Sequence, residues 1–91
     1  MRKIEEEMLK AFKERREWRC RNTTIKLIGD FVCVYLYGYL IAMKNINNEV
    51  KYSLAQHNTY TTRSRLRALG CNVTSKKNTP YRDGKVWYGD F

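Results

Sequence analysis

Arg63, Arg65 and Arg67 stand at alternate positions in the segment Thr61-Thr62-Arg63-Ser64-Arg65-Leu66-Arg67-Ala68-Leu69, and no acidic residue occurs between Glu49 and Asp83. Guanidinium groups beside threonine hydroxyls and backbone N–H groups at a helix start are the chemistry of phosphate contact. Lys76, Lys77 and Arg82 extend the same acid-free stretch, and Tyr60 precedes it with a ring that can stack on a base or anchor an interface. So short a helix, burying Leu66 and Leu69, has little room to hide three guanidinium groups. With no carboxylate nearby in the chain, all three arginines are expected to point outward. The bland alternative is a solvated cationic face.

Other reactive side chains form no catalytic or metal-binding pattern. His57, the single histidine, would need Cys71 as nucleophile or Asp83 as acid, and no local motif joins them. A hydrogen-bonding place in the His57-Asn58-Thr59 loop is the simpler expectation, and the chain is not expected to be an enzyme. Cys20, Cys33 and Cys71 lie far apart and match no zinc-ligand spacing. Free thiols of a reducing compartment are expected, with no metal and no cofactor. Tyr35, Tyr37, Tyr39, Tyr60, Tyr81, Trp87 and Tyr88 either pack beneath the helices, the commoner fate, or stack on a partner from an exposed sheet.

Composition points to binding. Eighteen Lys and Arg against nine Asp and Glu give a net charge of +9 in 91 residues. That balance favours an acidic protein or nucleic acid as partner. Met1-Arg2-Lys3 runs into Glu5-Glu6-Glu7 rather than a signal-peptide core, and the longest apolar stretch, Phe31 to Met43, is too short for a membrane span. No membrane partner is expected.

The elements that must position these residues read as one α+β domain over residues 1–91. Residues 2–19 have the spacing of an amphipathic helix, with Ile4, Met8, Ala11, Phe12 and Trp18 on one face. Residues 23–54 read as a meander of strands with turns at Gly29-Asp30, Gly38 and Asn47-Asn48. Val32, Val34 and Leu36 form the apolar side of the second strand and should pack on Ile4, Met8 and Phe12. Residues 61–69 read as a second helix, with Thr59, Thr61 or Thr62 to cap its amino end and Gly70 to end it. The tail from Cys71 to Phe91 reads as a final hairpin turning at Asp83-Gly84, with Val86, Trp87 and Tyr88 in the returning strand. The expected architecture is an antiparallel sheet of four to six strands with both helices on one face.

Two resemblances add to this reading. The strand turn Tyr35-Leu36-Tyr37-Gly38-Tyr39-Leu40-Ile41-Ala42 and the later segment His57-Asn58-Thr59-Tyr60-Thr61-Thr62-Arg63-Ser64-Arg65-Leu66-Arg67-Ala68-Leu69, with its helix start, resemble segments of short accessory proteins of tailed bacteriophages. The resemblance implies a viral protein made in the cytoplasm of an infected bacterium. Such proteins bind and disable host factors, so it further implies a host-takeover inhibitor or anti-defence protein directed at nucleic-acid-handling machinery. The order helix, strands, helix is also similar to the double-stranded RNA-binding domain, in which basic residues at the second helix start bridge phosphates. That likeness implies direct nucleic-acid binding through Arg63, Arg65 and Arg67.

Overall fold

The computed structural model describes residues 2–89, so Met1 and the last two residues of the expected tail, Asp90 and Phe91, lie outside the described residues. The element order is α1 (Lys3–Lys13), β1 (Trp18–Cys20), β2 (Thr23–Ile28), β3 (Phe31–Leu36), β4 (Tyr39–Lys44), β5 (Val50–Tyr52), α2 (Tyr60–Ala68), β6 (Val73–Lys76), β7 (Thr79–Arg82) and β8 (Lys85–Val86). Strands β1 to β5 form an antiparallel meander in chain order, and β6 to β8 form a separate three-stranded sheet. The α+β architecture agrees with the sequence reading, including a main sheet of five strands.

The first helix is shorter than its apolar spacing predicts. It stops at Lys13 because Glu14 caps it and Arg15 then takes a left-handed φ of 53°, which reverses the chain. Trp18, expected on the helix, instead opens β1 opposite Ile25. Glu5, Met8, Ala11 and Phe12 form its buried stripe, whereas Ile4 is only half-buried at the margin. Met8 and Phe12 join Ile25, Val32, Val34, Leu36 and Ile41 in the core, as expected of the two apolar sides.

Alternation fixes which face of the main sheet meets the helices. Ile25, Val32 and Val34 point inward, and their neighbours Lys26, Cys33 and Tyr35 point to the opposite face. A bulge between β3 and β4 skips Ile41 in the pairing, since Val34 lies opposite Ala42 and Tyr35 opposite Leu40. The extra residue lets consecutive Ile41 and Ala42 both enter the core.

The hairpin turns follow backbone chemistry. Tyr37-Gly38 and Asp83-Gly84 place both central residues at positive φ, the turn geometry that matches strand twist. Lys77-Asn78 does the same between β6 and β7, giving the tail a strand that the expected single hairpin lacked. The returning strand is only Lys85–Val86, because Trp87 turns back to pack on the core while Tyr88 stays exposed. Helix α2 starts with Thr59 Oγ1 accepting the Thr62 N–H at 3.1 Å, and its end leads into Gly70 at φ 108°.

Candidate binding surface

The alternate arginines of α2 do not form one outward cluster. Arg65 is buried at 4% exposure, and its Nη1 donates to Glu5 Oε2 at 2.8 Å. Its Nε donates to Thr23 Oγ1 at 3.2 Å, and Ser64 Oγ donates to the same Glu5 oxygen at 2.5 Å. The expectation that Arg65 points outward is therefore wrong. The missing carboxylate comes from α1, some 60 residues earlier in the chain. A buried charge needs a partner and satisfied hydrogen bonds, and this network meets both needs.

The remaining expected site residues fall in different places. Arg63 is half-buried, with Nη1 donating to Asn58 O at 3.1 Å and Asn58 Oδ1 at 2.6 Å. Asn58 in turn donates to Asn78 O at 3.2 Å, so Arg63 braces the loop against the Lys77-Asn78 turn. Arg67 is exposed but donates to Val73 O at 3.1 Å, tying α2 to β6. Arg82 lies between the rings of Tyr52 and Trp87, 5.1 and 5.5 Å from their centres. Lys76 and Lys77 are exposed, at the end of β6 and on the turn after it. Tyr60 is exposed with the Arg2 guanidinium 5.3 Å above its ring. The structure thus ties Arg63 to the loop at Asn58 and Arg67 to β6, buries Arg65 and holds the half-buried Arg82 between two rings. The likeness to the double-stranded RNA-binding domain fails at the same point, because Arg65 cannot bridge phosphates from inside the protein.

The surface that sequence reasoning left as an alternative is better formed. Both helices cover the inner face of the main sheet, and the other face is lined, apart from the buried Cys33, by exposed or half-buried side chains. Register places Arg19 and Thr24, Lys26 and Cys33, Tyr35 and Leu40, and Met43 and Lys51 there as cross-strand neighbours, with Phe31 at one end. Arg19, Lys26, Phe31 and Lys51 are exposed, and Lys26 Nζ lies 5.4 Å above the Tyr35 ring. No residue of the five strands is acidic, but two acids stand at the margins: Glu49 beside Phe31 and Met43, and Glu17 before β1, whose Oε2 accepts the Leu27 N–H at 3.2 Å. Arg19 falls within the apparent helix, and Lys51 opens the acid-free run after Glu49 without its strand position marking it as part of this face. The signal that finds them is strand parity: each follows or precedes an inward residue by one position.

Other candidate chemistry is muted. The three cysteines are unpaired; Cys33 and Cys71 are buried, and burial pushes both thiols above their ordinary range. Such thiols are poor nucleophiles. His57 is exposed and packs on Tyr39 with ring centres 4.5 Å apart. Among the described residues, no group of three or more His, Cys, Asp and Glu side chains is placed to hold a metal ion. No helix among them is long and apolar enough to cross a membrane.

Residues 1–90 match the family described as Kyanoviridae Gp96 protein, and the chain belongs to that cyanophage family. No curated protein and no solved structure matches it.

Proposed function

We propose that this phage protein acts by stoichiometric binding rather than catalysis, in the cytoplasm of the infected cell. Single-stranded nucleic acid is the partner its geometry fits best. One observation carries the reading: the open face of the main sheet sets three exposed cations, Arg19, Lys26 and Lys51, around Phe31 and Tyr35, on strands that contain no acid. Cations track a phosphate backbone, and aromatic rings on an open sheet stack on unpaired bases without demanding a sequence. A duplex, whose bases already stack on each other, makes less use of those rings.

A second reading has its own observation. Leu27, Ile28, Phe31 and Ile46 are large apolar residues left exposed, and Leu27, Phe31 and Ile46 line one cleft at the β2–β3 end beside Arg15. Exposed apolar side chains beside Arg15, with Asp30 also on the cleft wall, suit a host protein with a mixed apolar and charged patch, such as a nucleic-acid-handling or defence factor that the phage protein inhibits. Capture from host-cell lysate, with and without nuclease, separates the two. Recovery of nucleic acid, and loss of all co-captured proteins on nuclease treatment, supports direct binding. A single protein retained in stoichiometric amount after nuclease moves the function to host-factor inhibition.

A further inference from the structure

Two clefts lie side by side at the end of the molecule that carries the β1–β2 and β3–β4 turns, across the start of α2. The first, about 220 Å³, has walls of Tyr37, Tyr39 and His57 over a floor that includes Leu36, Ile41 and Leu54. Tyr39 and His57 meet at 55° between ring planes, forming an aromatic corner. Its volume falls below the about 300–1,000 Å³ of sites for drug-sized ligands and suits a single flat ring system. The second, about 430 Å³, is lined by Arg2, Lys3 and Arg21 with Thr61, against Glu7 as its one unpaired carboxylate. The edge of Arg65 also reaches it, but that charge is committed to Glu5.

The clefts share their walls. Thr59 and Thr62 line the first, while Thr61, between them on α2, lines the second. On the sheet side the Tyr37 N–H donates to Asn22 O at 2.8 Å, fastening the aromatic wall of one to the β1–β2 turn of the other. A ligand spanning both would have a flat, largely apolar ring at one end and an anion at the other.

We infer that the two clefts form one site for a nucleoside phosphate unit, the base against Tyr39 and His57 and the phosphate among Arg2, Lys3 and Arg21. The unit is either a free nucleotide or the phosphorylated end of a strand, since both present the same chemistry. None of these residues belongs to the open sheet face, so the site does not rest on the binding surface proposed above.

The test is a titration of the full chain, followed by amide and ring resonances, with adenosine monophosphate, adenosine, inorganic phosphate and a trinucleotide with or without a 5′-phosphate. Adenosine monophosphate should shift signals of both Tyr39 and Arg21 and bind at least about tenfold more tightly than adenosine, the difference that one charge-assisted phosphate contact supplies. Arg21→Glu should remove that preference and leave adenosine binding unchanged. Tyr39→Ala, at a half-exposed position, should weaken both ligands while the fold stays intact. Tighter binding of the phosphorylated trinucleotide than of the mononucleotide supports the site and assigns the strand end, and the reverse supports it and assigns a free nucleotide. Phosphate alone binding as tightly as the nucleotide, or shifts confined to one cleft, would overturn the inference. So would a loss of nucleotide binding in Arg19→Glu/Lys26→Glu/Lys51→Glu, which would make the two surfaces one.

Discussion

Arg65 and Lys44 are two cations that this basic chain takes out of water, and each is held by a different device. Arg65 has a full carboxylate partner in Glu5, with Ser64, Thr23 and Asn22 completing the network. Lys44 is 6% exposed and donates from Nζ to Phe12 O at 2.6 Å, so its ammonium closes the carboxyl end of α1 while lying over the Phe12 ring. Removing Arg65 leaves Glu5 charged and stranded, and Arg65→Ala should cost about 3–5 kcal/mol in urea unfolding. Replacing both partners with apolar residues, as in Glu5→Leu/Arg65→Met, should cost much less than either single change. Equal losses would mean that the pair is not the source of the effect. Titration adds a second prediction. Burial raises the thiols of Cys33 and Cys71 and the phenol of Tyr52, so the folded state keeps protons that the unfolded chain releases. Their stabilisation is complete below the ordinary thiol range and is lost as pH rises past about 9. Lys44 runs the other way: burial, then the nearby Arg15 charge, lowers its pKa, so the penalty of burying its charge fades with rising pH. The midpoint in urea should therefore fall more, or rise less, from pH 8 to 10 in the unmodified chain than in Cys71→Ala. An identical pH dependence of the two would contradict the Cys71 assignment.

At the scale of elements, the sequence was most legible where one periodicity had no rival. Alternation through Ile25, Val32, Val34 and Leu36 located β2 and β3, and Gly29, Gly38 and Gly84 marked the β2–β3, β3–β4 and β7–β8 turns because positive φ favours glycine. Thr59 was among the caps expected for α2, and Thr59→Ala should lower stability by about 1 kcal/mol, read by thermal or urea unfolding. No loss would mean that the first turn is held by other contacts. Phe12→Ala, removing a ring packed in the core and beneath Lys44, should cost about 3–5 kcal/mol. Legibility failed where one residue served two patterns. Trp18 is apolar at a spacing that continues the helix, yet it pairs across from Ile25, because nothing in residues Glu14 to Glu17 announces the left-handed Arg15. That arginine is held by distant turns, with Nη2 donating to Asp30 O at 2.7 Å and Nη1 to Asn45 O at 3.1 Å. The extra strand of the tail turns on Lys77-Asn78, and a lysine gives no warning of positive φ. The Glu5–Arg65 pair was invisible for a related reason: its partners are local strangers brought together only by packing α1 on α2.

Across the whole molecule, the +9 charge is not a uniform coat. Part of it is internal, in Arg65 and Lys44, and part is tied down, in Arg63 and Arg82. Much of what remains free lies on the open sheet face, around the α1 amino end and on the small sheet at Lys76 and Lys77. The candidate site was thus half legible: cation content pointed to an anionic partner, but only the sheet's parity separates the side chains that face solvent from those that hold the core. The measurement that bears most directly on the proposed function is fluorescence anisotropy of labelled single-stranded oligonucleotides across a salt series. It compares the unmodified chain, Arg19→Glu/Lys26→Glu/Lys51→Glu on the open face, and Lys76→Glu/Lys77→Glu on the small sheet, after each variant is shown to unfold cooperatively. The unmodified chain should bind with a log affinity that falls linearly with log salt. The open-face variant should bind at least tenfold more weakly, with a slope shallower by about 0.7 for each phosphate contact removed. The small-sheet variant should stay within a few-fold of the unmodified chain, and a matched duplex should bind more weakly than the single strand. Equal losses from the two variants, or no binding at low salt by the unmodified chain, would contradict the open sheet face as the nucleic-acid surface.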